Sequence, residues 1–111
     1  MPVWEEDGFK MCQSSAILRM LGIRLGYYSD DPMICFAIDS IVDFMEGLQP
    51  KFAGYLLPVT QGVQITEEGA VNWFADFWDK VIPVLEKRLV GHGKPFIAGT
   101  QRPTIADFKA F

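Results

Sequence analysis

Apolar residues recur at Ile17, Met20, Leu21 and Leu25, the spacing of a helix with one buried face. The pair Gln13-Ser14 interrupts the apolar pattern just ahead of it, which makes Ser14 the expected N-cap. Gly26 is the expected stop, as a residue free to take the left-handed conformation after the last turn. Upstream, Pro2-Val3-Trp4 and Phe9-Lys10-Met11-Cys12 read as two short strands, and Glu5-Glu6-Asp7-Gly8 as the turn between them. Asp-Gly is a strong signal for a tight hairpin. One hairpin is marginal by itself, so it reads as the edge of a larger sheet and a first sign of an incomplete domain.

The second half is helical in pattern. Tyr27 to Asp31 is a polar connector, and Asp31-Pro32 pairs a capping carboxylate with a proline at the first helical position. The helix that follows has an apolar stripe at Ile34, Ala37, Ile38, Ile41, Met45 and Leu48. Asp39, Asp43 and Glu46 share another face at spacings of four and three. Three acids in a row make either a solvated face or one that meets a cation from a partner subunit or a ligand ammonium. Pro50 is expected to break or bend the helix, with Phe52 through Leu57 able to continue it in a shorter turn, and Pro58 to Ile65 to form a loop. Thr66 caps a long helix running from Glu67 to about Val90, with Phe74, Phe77, Trp78, Val81, Leu85 and Leu89 as a core stripe and Pro83 as a kink. Gly91-His92-Gly93 stops it, His92 reading as a solvated loop residue. Lys94 to Gly99 is an extended apolar piece. Thr104 and Asp107, three apart at the start of an apolar run, form a capping box with aspartate in place of Glu or Gln. A helix ending at Phe111 is too short to stand without tertiary contacts, a second sign of truncation.

Composition narrows the function classes. The 111 residues fit one ordinary domain, and half of them, nine phenylalanines included, are apolar. A net charge of −4 without a Lys/Arg cluster argues against a nucleic-acid partner. No basic segment precedes an apolar run, and none nears the ~20 apolar residues of a membrane helix, so neither a signal peptide nor a membrane partner is expected. Cys12 and Cys35 have no metal or CxxC spacing; they read as buried structural thiols of a reducing, cytoplasmic setting. A single histidine supplies neither a zinc set nor a triad, so no metal is expected.

That leaves Gln13-Ser14 at the mouth of the first helix. It either caps the helix and nothing more, or uses the unsatisfied N–H groups there to hold a carboxylate or phosphate. Together with the rest of the chain it resembles a cytosolic glutathione transferase. The resemblance rests on Pro2-Val3-Trp4, the Gly8 turn, Gln13-Ser14-x-Ala16-Ile17-x-Arg19-x-Leu21, and Phe96-Ile97-x-Gly99 followed by Thr104-Ile105-Ala106-Asp107-Phe108. These blocks span essentially the whole chain in the family's order.

The resemblance implies a mostly α fold: a truncated thioredoxin-like α/β half at 1–26 (one β-hairpin plus helix), a linker at 27–32, and part of an all-α helical domain at 33–111. It implies glutathione as co-substrate, whose thiolate attacks a hydrophobic electrophile, and a homodimer when intact. Pro2 takes the place of the family's cis-proline, and the Met1 backbone that of the hydrogen-bonding partner of the cysteinyl part. Gln13 and Ser14 match the pair holding the γ-glutamyl group, which requires the helix mouth to be open and not plugged by the protein's own side chains. Asp43 falls where alpha-, mu-, pi- and sigma-like members place an acid that reaches the γ-glutamyl ammonium across the dimer; Asp39, one turn away, could substitute. Thr104 and Asp107 match a capping box that serves folding. The segment that carries the activating Tyr, Ser or Cys in the family has no counterpart here, and Tyr27 and Tyr28 in the linker do not replace it. The expectation is a fragment, weakly active or inactive alone. The alternatives are a non-catalytic transferase-like dimerisation or binding module, and a helical domain with chance motif matches.

Overall fold

The computed structural model describes residues 2–64 and 66–110; in parts of the central helices only the backbone is described. The order is β1 (Val3–Glu6), β2 (Phe9–Cys12), α1 (Ser14–Leu25), α2 (Pro32–Thr60), α3 (Glu67–Lys80), α4 (Ile82–Gly91) and α5 (Ile105–Ala110). It is the mostly helical arrangement expected, a two-stranded sheet followed by helices.

The hairpin pairs Val3 with Cys12 and Glu6 with Phe9 in antiparallel register. Asp7 and Gly8 both take positive φ, 50° and 80°, the condition for the tight turn whose twist matches that of the strands. Glu5 and Glu6 therefore belong to the first strand rather than to the turn. Cys12 is exposed and Cys35 half-buried, its thiol donating to the Ser29 carbonyl at 2.9 Å. The expected pair of buried thiols is thus corrected.

The core lies between α2, α5 and the turn before α5. Ile38, Ile41, Val42, Ile97, Ala98, Ile105 and Ala106 are buried together, with Leu18, Ile34, Ala37, Met45 and Leu85 packed against them. Burying an isoleucine contributes about 1.5–3 kcal/mol, so the four largest buried side chains, Ile38, Ile41, Ile105 and Val42, anchor this half. Asp31 caps α2 by accepting from the N–H groups of Met33 and Ile34 at 2.8 and 3.3 Å. Thr66 caps α3 through Gly69 N–H at 3.2 Å. At α5 the Thr104 N–H donates to Asp107 Oδ2 at 2.7 Å, and Asp107 Oδ1 accepts from Ile97 N–H at 2.9 Å. One carboxylate thus ties the turn to the helix start.

Several expectations change. Helix α2 continues past Pro50 and also runs through Pro58 to Thr60, where a loop was expected to begin: a proline removes one hydrogen bond, and the other turns carry the helix past it. The long helix expected from Glu67 is two helices parted at Val81, and Pro83 sits in the first turn of α4, where a missing N–H matters least. Of its aromatic stripe, Val81 is buried and Leu85 packs on the core, but Phe74 is half exposed. The side chains of Phe77 and Trp78 lie outside the described residues. The segment Lys94 to Gly99 is a turn, closed by Gly99 N–H to Phe96 O at 2.9 Å, and not an extended piece. His92 is tied into that turn: Nδ1 accepts from Lys94 N–H at 3.2 Å and Nε2 faces the Ile97 carbonyl at 3.3 Å.

Helix α1 joins the core through Leu18 and, most closely, Gly22, its one fully buried residue. A Cβ there would stand 2.5 Å from Ile105 Cγ2, closer than carbon atoms pack. Gly26 then ends α1 in the left-handed conformation, with Tyr27 N–H on Gly22 O at 2.8 Å. The Tyr27 carbonyl accepts the Ile105 N–H at 3.0 Å, stitching the end of α1 to the start of α5. Gly22→Ala is expected to lower the unfolding free energy in urea by about 1–3 kcal/mol, overpacking outweighing the helix propensity gained. Gly47→Ala, with open space around it, is expected to raise it by about 0.5–1 kcal/mol. Equal effects of the two substitutions would contradict this packing.

Candidate functional site

The mouth of α1 starts from an unusual backbone. Gln13, not Ser14, is the N-cap: it sits at φ 79°, ψ 105°, and its carbonyl accepts the first helical N–H, from Ile17, at 3.0 Å. A non-glycine residue at such an angle stores roughly 1–3 kcal/mol of strain, a feature that concentrates at ligand sites. The Gln13 side chain makes no capping bond, so among the described residues the N–H groups of the first turn are left for another acceptor.

Ser14 is pushed one position into the helix, so its hydroxyl turns outward instead of back onto the backbone. It donates to Glu46 Oε1 at 3.3 Å, and Ser15 Oγ donates to the same oxygen at 2.5 Å. Lys109 Nζ, from α5, also reaches Oε1 at 2.6 Å. The amide of Gln49, oriented with its nitrogen toward Glu46, donates to Oε2 and accepts from Lys109, both at 3.2 Å. The Lys109 and Ser15 bonds hold the Glu46 carboxyl below its ordinary pKa. The two serine hydroxyls are therefore occupied by the chain's own carboxylate. An open cleft of about 570 Å³, lined by Glu46, Gln49, Pro50 and Ala53, adjoins it.

The other two acids of the row are engaged as well. Arg19 spans them, Nε on Asp39 Oδ1 and Nη2 on Asp43 Oδ1, each at 2.7 Å. Tyr28 donates its hydroxyl to Asp39 Oδ2 at 2.7 Å. Burial, and then that bond to a carboxylate, pushes the Tyr28 pKa well up. The cations that meet the acidic face thus come from α1 and α5 of the same chain. Asp43 remains 70% exposed along its side chain. Thr104 and Asp107 sit apart from this cluster, at the start of α5. Met1 lies outside the described residues, and with it the Met1–Pro2 bond expected to be cis.

Sequence reasoning passed over Ser15, Arg19 and Lys109 as partners. A signal was present: Ser15, Arg19 and Gly22 recur at spacings of four and three, one face of α1, and meet Glu46, Asp43 with Asp39, and Ile105 in turn.

The same stretch of chain is similar to curated glutathione S-transferases. One from Gallus gallus is 31% identical over 101 residues, covering 91% of this chain and 44% of the relative. Glutathione S-transferase 1 of Ascaris suum is 35% identical over 105 residues, 89% of this chain and 48% of the relative. Glutathione S-transferase A of Cavia porcellus is 28% identical over 105 residues, 91% of this chain and 45% of the relative. The chain is glutathione-transferase-like. It spans about half the length of the curated relatives it matches. No family model matches it. Within this transferase-like chain, no helix of the described residues is long and apolar enough to cross a membrane.

The cluster sets the expected pH behaviour. Glu46 is more acidic folded than its ordinary 4.5, so its contribution to stability is complete above about pH 4.5 and is lost as pH falls through the lower folded value. Tyr28 is shifted the other way: its contribution is complete below about pH 10 and is lost as pH rises beyond it. In chemical denaturation across pH, Glu46→Gln is expected to flatten the acid limb and Tyr28→Phe the alkaline limb. Limbs that superimpose on those of the unsubstituted chain would contradict the assignment.

Proposed function

We propose that this chain carries part of the glutathione site of a glutathione transferase, with the mouth of α1 holding the γ-glutamyl carboxylate. The observation that supports this most is the uncapped start of α1 behind a strained Gln13, in a chain resembling transferases over nine-tenths of its length. In this reading Gln13 supplies an amide, Ser14 a hydroxyl, and α1 its free N–H groups and partial positive charge to one carboxylate. The Met1 backbone contacts the cysteinyl part next to a cis Pro2. Asp43, or Asp39 in its place, contacts the γ-glutamyl ammonium of the other subunit of a homodimer, for which Asp43 has to loosen from Arg19. Residues 1–26 form part of the thioredoxin-like half and 33–111 part of the helical half, joined by 27–32. In the intact enzyme a glutathione thiolate attacks a hydrophobic electrophile, the thiol having been made more acidic by a hydroxyl or thiol close to it.

Three of the described groups of that kind are already engaged. The Tyr28 hydroxyl is committed to Asp39, and Tyr27 stands edge-on to Phe108 with ring centres 5.1 Å apart. The Cys35 thiol is turned onto the Ser29 carbonyl. Conjugation by the chain alone is expected to be weak or absent, close to the uncatalysed rate.

The occupation of Ser14 and Ser15 by Glu46 favours a second reading, a transferase-like binding or dimerisation module without glutathione. Retention on immobilised glutathione separates the two. The first reading expects the chain to be held and to elute with free glutathione, and Gln13→Ala to weaken binding by about tenfold or more, the worth of a hydrogen bond to a charged group. A chain that passes through unretained supports the module.

A further inference from the structure

The groups around Glu46 are those a small anionic ligand would ask for: two hydroxyls at a helix N-terminus, an ammonium and an amide N–H. Apart from the neighbouring Gln49, they are supplied by two other elements, α1 and α5, 31 to 63 residues away in sequence, yet they converge on one carboxylate. We infer that Glu46 is a resident competitor at the α1 mouth, which a ligand carboxylate displaces from Ser14, Ser15 and Lys109 when it binds. The inference rests on the glutathione reading and adds to it the residue that sets how tightly the mouth takes its ligand.

The exchange is like for like. The incoming carboxylate has the charge and lone pairs of the one that leaves, so it can take over the same hydroxyls and ammonium without a change in their number. Two carboxylates cannot share them: both fully charged within a few ångströms, they repel, and Oε1 alone already takes up three donors. Glu46 has somewhere to go. Its side chain is about one-third exposed and borders the 570 Å³ cleft toward Gln49, Pro50 and Ala53. While it is in place, only the fraction of molecules with the mouth vacated is competent, and the apparent affinity is reduced by that fraction. Once it has swung out, Lys109 is left facing the ligand carboxylate. The affinity of this mouth for glutathione is therefore set by residues of α2 and α5 as well as by the Gln-Ser pair.

The experiment is glutathione binding by calorimetry to the unsubstituted chain, to Glu46→Gln and to Glu46→Gln/Lys109→Met, each checked for helicity. Glu46→Gln is expected to bind about tenfold more tightly, roughly the worth of one hydrogen bond to a charged group freed for the ligand. The double variant is expected to lose most of that gain. Glutathione should also shift the ¹³C resonance of the Glu46 carboxyl in the unsubstituted chain, a readout that needs no variant. If the chain binds glutathione while Glu46→Gln binds equally or more weakly, or if the Glu46 resonance does not move, the inference is overturned and the glutathione site stands. If neither the chain nor Glu46→Gln binds, the glutathione reading itself fails and takes the inference with it.

Discussion

Helix α2 presents three carboxylates on one face, and the arrangement of the helices around it depends on how those charges are answered. Left to water, Asp39, Asp43 and Glu46 would repel one another mildly along the helix. Instead Arg19 answers the first two, and Lys109 with two serines answers the third. Helix α1 docks through a modest apolar contact, with Gly22 buried and Leu18 packed on the core. Its position is set jointly by the close approach of Gly22 to Ile105, by Leu18 on the core, and by Ser14, Ser15 and Arg19 reaching the acids of α2. The same polar contacts hold the mouth of α1 in place. Structure and candidate site are parts of one network.

That sharing has a chemical consequence. A helix start without a side-chain cap, behind a residue held at positive φ, is a site with unmet donors. Glu46 meets part of that demand from within the chain, through the serine hydroxyls rather than the backbone N–H groups. The mouth is thus neither empty nor closed. It is filled by a group of the same chemistry as the ligand that the transferase likeness implies, and which of the two carboxylates prevails is a matter of relative affinity.

What the sequence made legible was local. Asp7-Gly8, Asp31-Pro32 and Thr66 mark their turn and caps through bonds that close within three residues, so short-range chemistry suffices to place them. The resemblance to transferases was readable for a similar reason, since its blocks are contiguous runs. What escaped was every contact that closes over a long stretch of chain. The Ser15 to Glu46 bond spans 31 residues and the Lys109 to Glu46 bond 63, and no local pattern announces either. Ser14 was expected as the cap because a hydroxyl before an apolar run ordinarily turns back on the backbone. Here a carboxylate across the interface competes for it, and Gln13 takes the capping position at the expense of its own backbone geometry. Phe74 and Pro58 mislead for the opposite reason: helical periodicity does not fix how deeply each position of a stripe is buried, and one lost hydrogen bond does not end a helix with many others.

The claim that polar pairing across the acidic row docks α1 is tested most directly by a double-mutant cycle at Arg19 and Asp39. The two groups meet at 2.7 Å with their side chains about one-third exposed. Unfolding free energies of the chain, Arg19→Met, Asp39→Asn and the double variant are expected to give a coupling of about 1 kcal/mol or more, above the range of exposed surface pairs. A coupling indistinguishable from zero would show that α1 is held by Gly22 and its apolar neighbours alone, and would contradict the account.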